Sequence, residues 1–109
     1  MTLSSAVGTG PMNVVIIALG PSLGIPGELA DPTMELHDRN GVLVDSNDNW
    51  MDSPNKQEFI DLGLAPPNPL ESAIARTVNA PDSYTAIVRG VNNGTGIAVV
   101  EVFEVNLGP

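Results

Sequence analysis

The residues best suited to chemistry sit close together between positions 45 and 52, in "DSNDNWMD". Asp45, Asn47 and Asn49 alternate as D-x-N-x-N, which is how a calcium-binding loop begins, because alternate oxygen side chains converge on a hard cation. The pattern then departs. Position six of such a loop is Trp50 in place of Gly, and position twelve is Lys56 in place of a bidentate Glu. A looser ion site would draw on Asp45, Asn47, Asp48 and Asp52, so calcium is the one cofactor the sequence leaves open. The plainer reading is a strand end closed by Asx turns, in which Asp and Asn accept from nearby backbone N–H groups. Trp50 offers a different chemistry. An exposed indole stacks on sugar rings, and Asp48 and Asn49 beside it would bind hydroxyls. Against this stands a role as a plug at one end of a core poor in aromatics, since the chain has one Trp, one Tyr and two Phe.

Catalytic constellations are weaker. His37 and Asp38 adjoin, but neighbours on a strand point to opposite faces and do not make a dyad. The chain has no G-x-S-x-G elbow, and the Ser nearest a Gly-rich turn is Ser22 in "LGPSLG". One His does not supply a His-rich metal centre, and the absence of Cys removes disulfides, thiolate zinc sites and thiol catalysis. "GTGP" and "LGPSLGIPG" lack the phosphate-cradling glycine patterns, and their prolines lack N–H donors. The "NGT" at Asn93 matches a glycosylation sequon and reads more simply as a turn. The sequence therefore points away from an enzyme.

The elements that must position these residues are short and β-like. The chain's 109 residues fit one domain, taken as 1–109. Glycine and proline recur at short intervals, and β-branched runs lie between them, the pattern of an all-β sandwich or barrel. Residues 2–7, "TLSSAV", make an unguarded edge strand. The run "NVVIIAL" (13–19) is apolar on both parities and reads as a strand buried on both faces. "TMELHD" (33–38) and "VLVDS" (42–46) flank Arg39-Asn40-Gly41 as a hairpin. Ser53-Pro54 opens a short helix over 54–63, with Ser53 as cap and Gly63 at the end. Strands follow at 72–78, 84–91 and 97–105. The last two read as a hairpin about "NNGTG", and 97–105 reads as a central strand because both its faces are apolar. The expected fold is all-β: an antiparallel, jelly-roll-like β-sandwich of seven to eight strands with one short helix.

Thirteen acidic residues against four basic ones give a net charge of −9. That excludes nucleic acid and anionic membranes as expected partners, both of which need a basic footprint. No segment has the length of a membrane span. "MNVVIIALG" is too short and lacks the basic residues that begin a signal peptide.

The combined motifs "GTGP…VVIIALGPSLG…PGELADPTMELHDRNGVLVDSNDNW", "LAPPNPLESAIARTV" and "YTAIVRGVNNGTGIAVVEVFEV" resemble a β-sandwich domain of large secreted and cell-surface proteins of environmental bacteria. That domain is similar to the bacterial pre-peptidase C-terminal (PPC-like) domain. The resemblance covers about residues 8–106. Where the domain carries a basic residue before "ALGPSL", this chain has Ile16-Ile17. The resemblance implies a non-catalytic, extracellular or cell-surface module for adhesion, attachment or assembly, with polysaccharide or other surface-protein domains as partners. Two alternatives come from the residues: a carbohydrate- or calcium-binding module centred on 45–52, and a structural subunit that forms homo-oligomers by pairing at the edge "TLSSAV".

Overall fold

A computed structural model describes residues 2–4, 11–79 and 83–105. The expected strand over 2–7 and the turn over 79–83 run partly into residues outside these. The fold is mostly β, with β1 (Thr2–Ser4), β2 (Pro11–Leu19), β3 (Pro32–Asp38), β4 (Leu43–Asn47), α1 (Lys56–Asp61), β5 (Ser72–Asn79), β6 (Ser83–Gly90) and β7 (Val99–Val105). Two antiparallel sheets form, in the orders β1-β6-β3-β4 and β5-β2-β7. Six strands of five residues or more carry them, with β1 a three-residue addition at one edge. Counting these six, the strands fall short of the seven to eight expected.

The period-two pattern of β2 explains the layering. Val14, Ile16 and Ala18 point to one side and meet Ile74 and Val78 of β5, Met34 and Leu36 of β3, and Tyr84 and Ala86 of β6. This cluster lies between the two sheets. Val15 and Ile17 point to the other side and meet Ala73, Trp50 and Phe59. The β5-β2-β7 sheet is thus covered on both faces, which is why "NVVIIAL" shows no polar alternation. Ile16 and Ile17 serve one cluster each.

Two expectations for the last strand are corrected. β6 and β7 are not a hairpin: β6 pairs with β1 and β3, whereas β7 pairs with β2. Nor is β7 central. It is the edge of its sheet, and β2 is the middle strand. The cause lies in the link. Asn92 and Asn93 both adopt positive φ, and the chain then docks on the loop after β2, where Ile97 N–H donates to Gly27 O (2.8 Å) and Leu29 N–H to Ile97 O (2.8 Å). A Cβ on Gly96 would lie 2.7 Å from the Leu29 nitrogen, so only glycine permits this approach. Beyond it, Val100 and Val102 feed the inter-sheet cluster while Phe103 and Val105 feed the outer one. Two apolar faces mark a strand in a doubly covered sheet, whether central or at its edge.

The hairpin β3–β4 forms as expected, with a bulge between Leu36 and His37. Of Asn40 and Gly41 only Gly41 takes positive φ, and the Asp38 carboxylate organises the turn by accepting from Asn40 N–H (2.9 Å) and Val42 N–H (3.0 Å). The helix is shorter than expected. Asn55, not Ser53, precedes it, and the Ser53 hydroxyl instead accepts from Asn55 N–H at 3.0 Å. Its end matches the expectation at Gly63, whose N–H bonds Ile60 O while Leu64 N–H bonds Phe59 O. This is a Schellman closure, with Leu64 packed in the cluster of Phe59.

Candidate functional site

The segment 45–52 leaves the edge strand β4 and enters the excursion that covers the second sheet. Asn47 is its anchor. Its Oδ1 accepts from Ala73 N–H (3.0 Å), its backbone oxygen accepts from Ser72 Oγ (2.6 Å), and its Nδ2 donates to Asn49 O (3.1 Å). A strand-edge N–H on β5 is thereby satisfied by a side chain of β4, and the two sheets are tied at that side. Arg76 mirrors it, reaching from β5 to donate to Val44 O on β4 (3.1 Å).

Trp50 follows in a 3-10 turn, Trp50–Asp52. It is 9% exposed and packs on Phe59, Val15, Ile17 and Ala73. Its backbone N–H donates to Glu71 O (2.8 Å) and its indole N–H to Asn68 O (3.2 Å). The polar edge of the ring is satisfied and little of the side chain is open to solvent, the environment expected of the plug. Asp48 is exposed and Asn49 half-buried beside it.

The expected ion ligands are not gathered into one set. Asp45 Oδ1 accepts from Ser46 N–H (2.8 Å), and Asn47 is engaged as above. Asp48 instead faces Asp31, which lies just before β3 and which the sequence reading passed over. The Asp48 carboxyl is held above the usual carboxylate range by partial desolvation first, then by the charge of Asp31, a hydrogen bond with Asp31, and the charge of Asp52. Oδ1 of Asp31 and Oδ1 of Asn49 are buried without a hydrogen-bond partner. Among the described residues, no group of three or more His, Asp or Glu side chains is arranged to hold a metal ion.

The residue that organises this end of the molecule is Glu71, which no motif singled out. It is fully buried. Its Oε2 accepts from Gly20 N–H (2.8 Å), Ser22 N–H (3.0 Å) and Ser22 Oγ (2.6 Å), and its Oε1 from Asn68 N–H (3.0 Å). Four donors replace the water a carboxylate needs, with no basic side chain paired to it among the described residues. Ser22, the serine nearest a Gly-rich turn, is therefore committed to the clamp. His37 sits between Gly41 O (3.2 Å) and Glu35 Oε1 (3.3 Å) on the solvent face of β3. The only sequence signal for Glu71 is an acidic residue between a proline-rich loop and an apolar strand, a pattern too common to select it.

No family model matches the chain, and neither a curated protein nor a solved structure matches it significantly. No helix among the described residues is long and apolar enough to cross a membrane.

Proposed function

We propose that the chain is a non-catalytic module of a bacterial secreted or cell-surface protein, a jelly-roll-like β-sandwich serving adhesion, attachment or assembly. The observation that carries this reading is the use made of the polar side chains. Ser22 is held by Glu71, Ser72 by Asn47, and His37 bridges a turn carbonyl and Glu35. The groups that could do chemistry are holding loops and sheet edges. The resemblance to the PPC-like surface domain supports the same role and the extracellular location. Polysaccharide and neighbouring surface domains are the partners proposed. The test is retention of the purified domain on bacterial cell-wall and matrix polysaccharide in a sedimentation assay. Retention supports attachment, and hydrolysis of a glycoside, ester or peptide substrate by the domain would contradict the reading.

A second reading, self-assembly through an edge, draws on the register of β1. Thr2 pairs with Thr85 and Ser4 with Ser83, so β1 lines only the first part of β6. Among the described residues no strand lies beside Ile87–Gly90 on that edge. A strand of another copy would bond there through its backbone. Salt screens the repulsion between copies of charge −9. Light scattering that grows with salt favours assembly, and a strict monomer in high salt rejects it.

A further inference from the structure

Arg39 and Arg76, two of the chain's four basic residues, line one cleft of about 290 Å³ with Asp38, Asn40, Ser83 and Tyr84. The cleft lies where the β3–β4 turn approaches the start of β6 and the edge of β5. In a chain of charge −9, half the cations thus line one cleft. Their engagement also differs from that of Arg89, which pairs with Glu35 at 2.6 Å. Neither Arg39 nor Arg76 has a carboxylate partner among the described residues. Arg76 is half-buried and spends one N–H on Val44 O. A guanidinium carries five N–H donors in a planar fork that matches a carboxylate. Asp38, the one acid among the described lining residues, has its Oδ1 occupied by two turn N–H groups. Among the described residues the cleft thus holds two positive charges against one negative, with the hydroxyl- and amide-bearing Ser83, Tyr84 and Asn40 as further lining.

We propose that this cleft binds a carboxylate-bearing sugar, a single hexuronate unit, with the Arg39–Arg76 pair holding the carboxylate and the neutral polar groups meeting ring hydroxyls. The cleft's volume lies at the small end of ligand pockets, which suits one ring and not an extended chain. The net negative charge of the domain disfavours polyanions at long range, which again selects a compact anion. The inference is independent of the attachment role. Binding of a free hexuronate without retention on polysaccharide would leave it standing while that role failed.

The experiment is an amide-detected NMR titration of the whole chain with glucuronate, acetate, glucose and sulfate. Glucuronate is expected to give saturable shifts at residues 38–42 and 83–84. Acetate should shift the same amides more weakly, and glucose should leave them unmoved. Arg76→Gln is expected to weaken glucuronate about tenfold, the loss of a charge-assisted contact. Arg76 also holds Val44 O, so Arg39→Gln is the decisive variant: Arg39 is exposed, and its loss should weaken binding about threefold with the fold intact. Asp38→Asn, which keeps the oxygen that closes the turn, should tighten binding by a similar factor. No saturable shift with glucuronate, equal shifts with glucose, sulfate binding as tight as glucuronate, or indifference to Arg39→Gln would each overturn the proposal.

Discussion

The two sheets treat their outer faces in opposite ways. The outer face of β5-β2-β7 is roofed by the excursion from Trp50 to Ala65 over aliphatic and aromatic side chains, and only towards the start of β2 does it turn polar, where Thr77 Oγ1 donates to Asn13 Oδ1 (2.7 Å). The outer face of β1-β6-β3-β4 is polar, where Glu35 binds Arg89 at 2.6 Å and His37 at 3.3 Å. Both sheets share the same inter-sheet core, so the difference comes from what the chain places outside. It teaches that the acidic segment 45–52 runs from β4 into the roof: Asn47 fixes where the roof departs, Trp50 and Phe59 fill it, and Glu71 clamps its return.

If the roof is structural, its central side chain carries the largest effect. Phe59 is fully buried and belongs to the roof alone. Phe59→Ala is expected to lower stability by about 3–5 kcal/mol in denaturant unfolding, as for other large aromatic deletions in cores. A loss under about 1 kcal/mol would mean the roof packs loosely and the two outer faces are more alike than described.

The clamp comes next. Glu71→Ala removes four acceptor contacts and leaves the N–H groups of Gly20 and Asn68 without partners. A loss of about 3 kcal/mol is expected, dominated by the orphaned donors. Hydrogen exchange should quicken at residues 20–23 and 68–71 before anywhere else. Uniform quickening would show that Glu71 acts on the whole fold and not on this end.

Asn47→Ala should cost about 1–2 kcal/mol, because it strips the Ala73 N–H of its partner while the backbone contact from Ser72 survives. Asn47→Asp, which keeps the acceptor, should recover part of that loss. Equal losses for the two variants would mean the amide oxygen is not what closes the β4–β5 side.

The smallest effect separates the two regions by pH. Glu35 is held below the usual carboxylate range by its hydrogen bonds to Arg89 and then His37, so its contribution is present above its unfolded value and is lost as pH falls through the folded one. Asp48 is shifted upward, so its ionised form disfavours the fold. Its contribution is full below the unfolded value and is lost as pH rises through the folded value. Asp48→Asn is therefore expected to be slightly more stable than the parent at neutral pH, the gap closing as pH falls below the normal carboxylate range. Glu35→Gln should be slightly less stable at neutral pH, its deficit shrinking on the same descent. Parallel profiles for the two variants would contradict the contrast.

Much of the fold is legible in the residues. The unbroken apolar run of β2 announces a strand buried on both faces, and Asn40-Gly41 and Gly63 announce a turn and a helix end, because each reflects a local constraint. What is not legible is non-local. Val99–Val105 has two apolar faces, which is compatible with any strand in a doubly covered sheet, and its pairing with β2 in place of β6 depends on the contact of Gly96 with Leu29. At the candidate site, the Asx-turn reading of Asp45 is met by its bond to Ser46 N–H. The partner of Asp48 is Asp31, 17 positions upstream, and the clamp joins Glu71 to Gly20 across 51 positions. Neither spacing leaves a mark in the local sequence. The arginine cleft is assembled from four strands and a turn, so its two cations appear along the chain as isolated residues.

Trp50→Ala, measured for stability and for polysaccharide retention in the same preparation, bears most directly on the claim that Trp50 is part of the roof and not a ligand platform. The buried indole, bonded to Asn68 O and packed on Phe59, predicts a loss of about 3–5 kcal/mol, with the fraction that stays folded retained on polysaccharide as well as the parent. A variant as stable as the parent that has lost its retention would contradict the account.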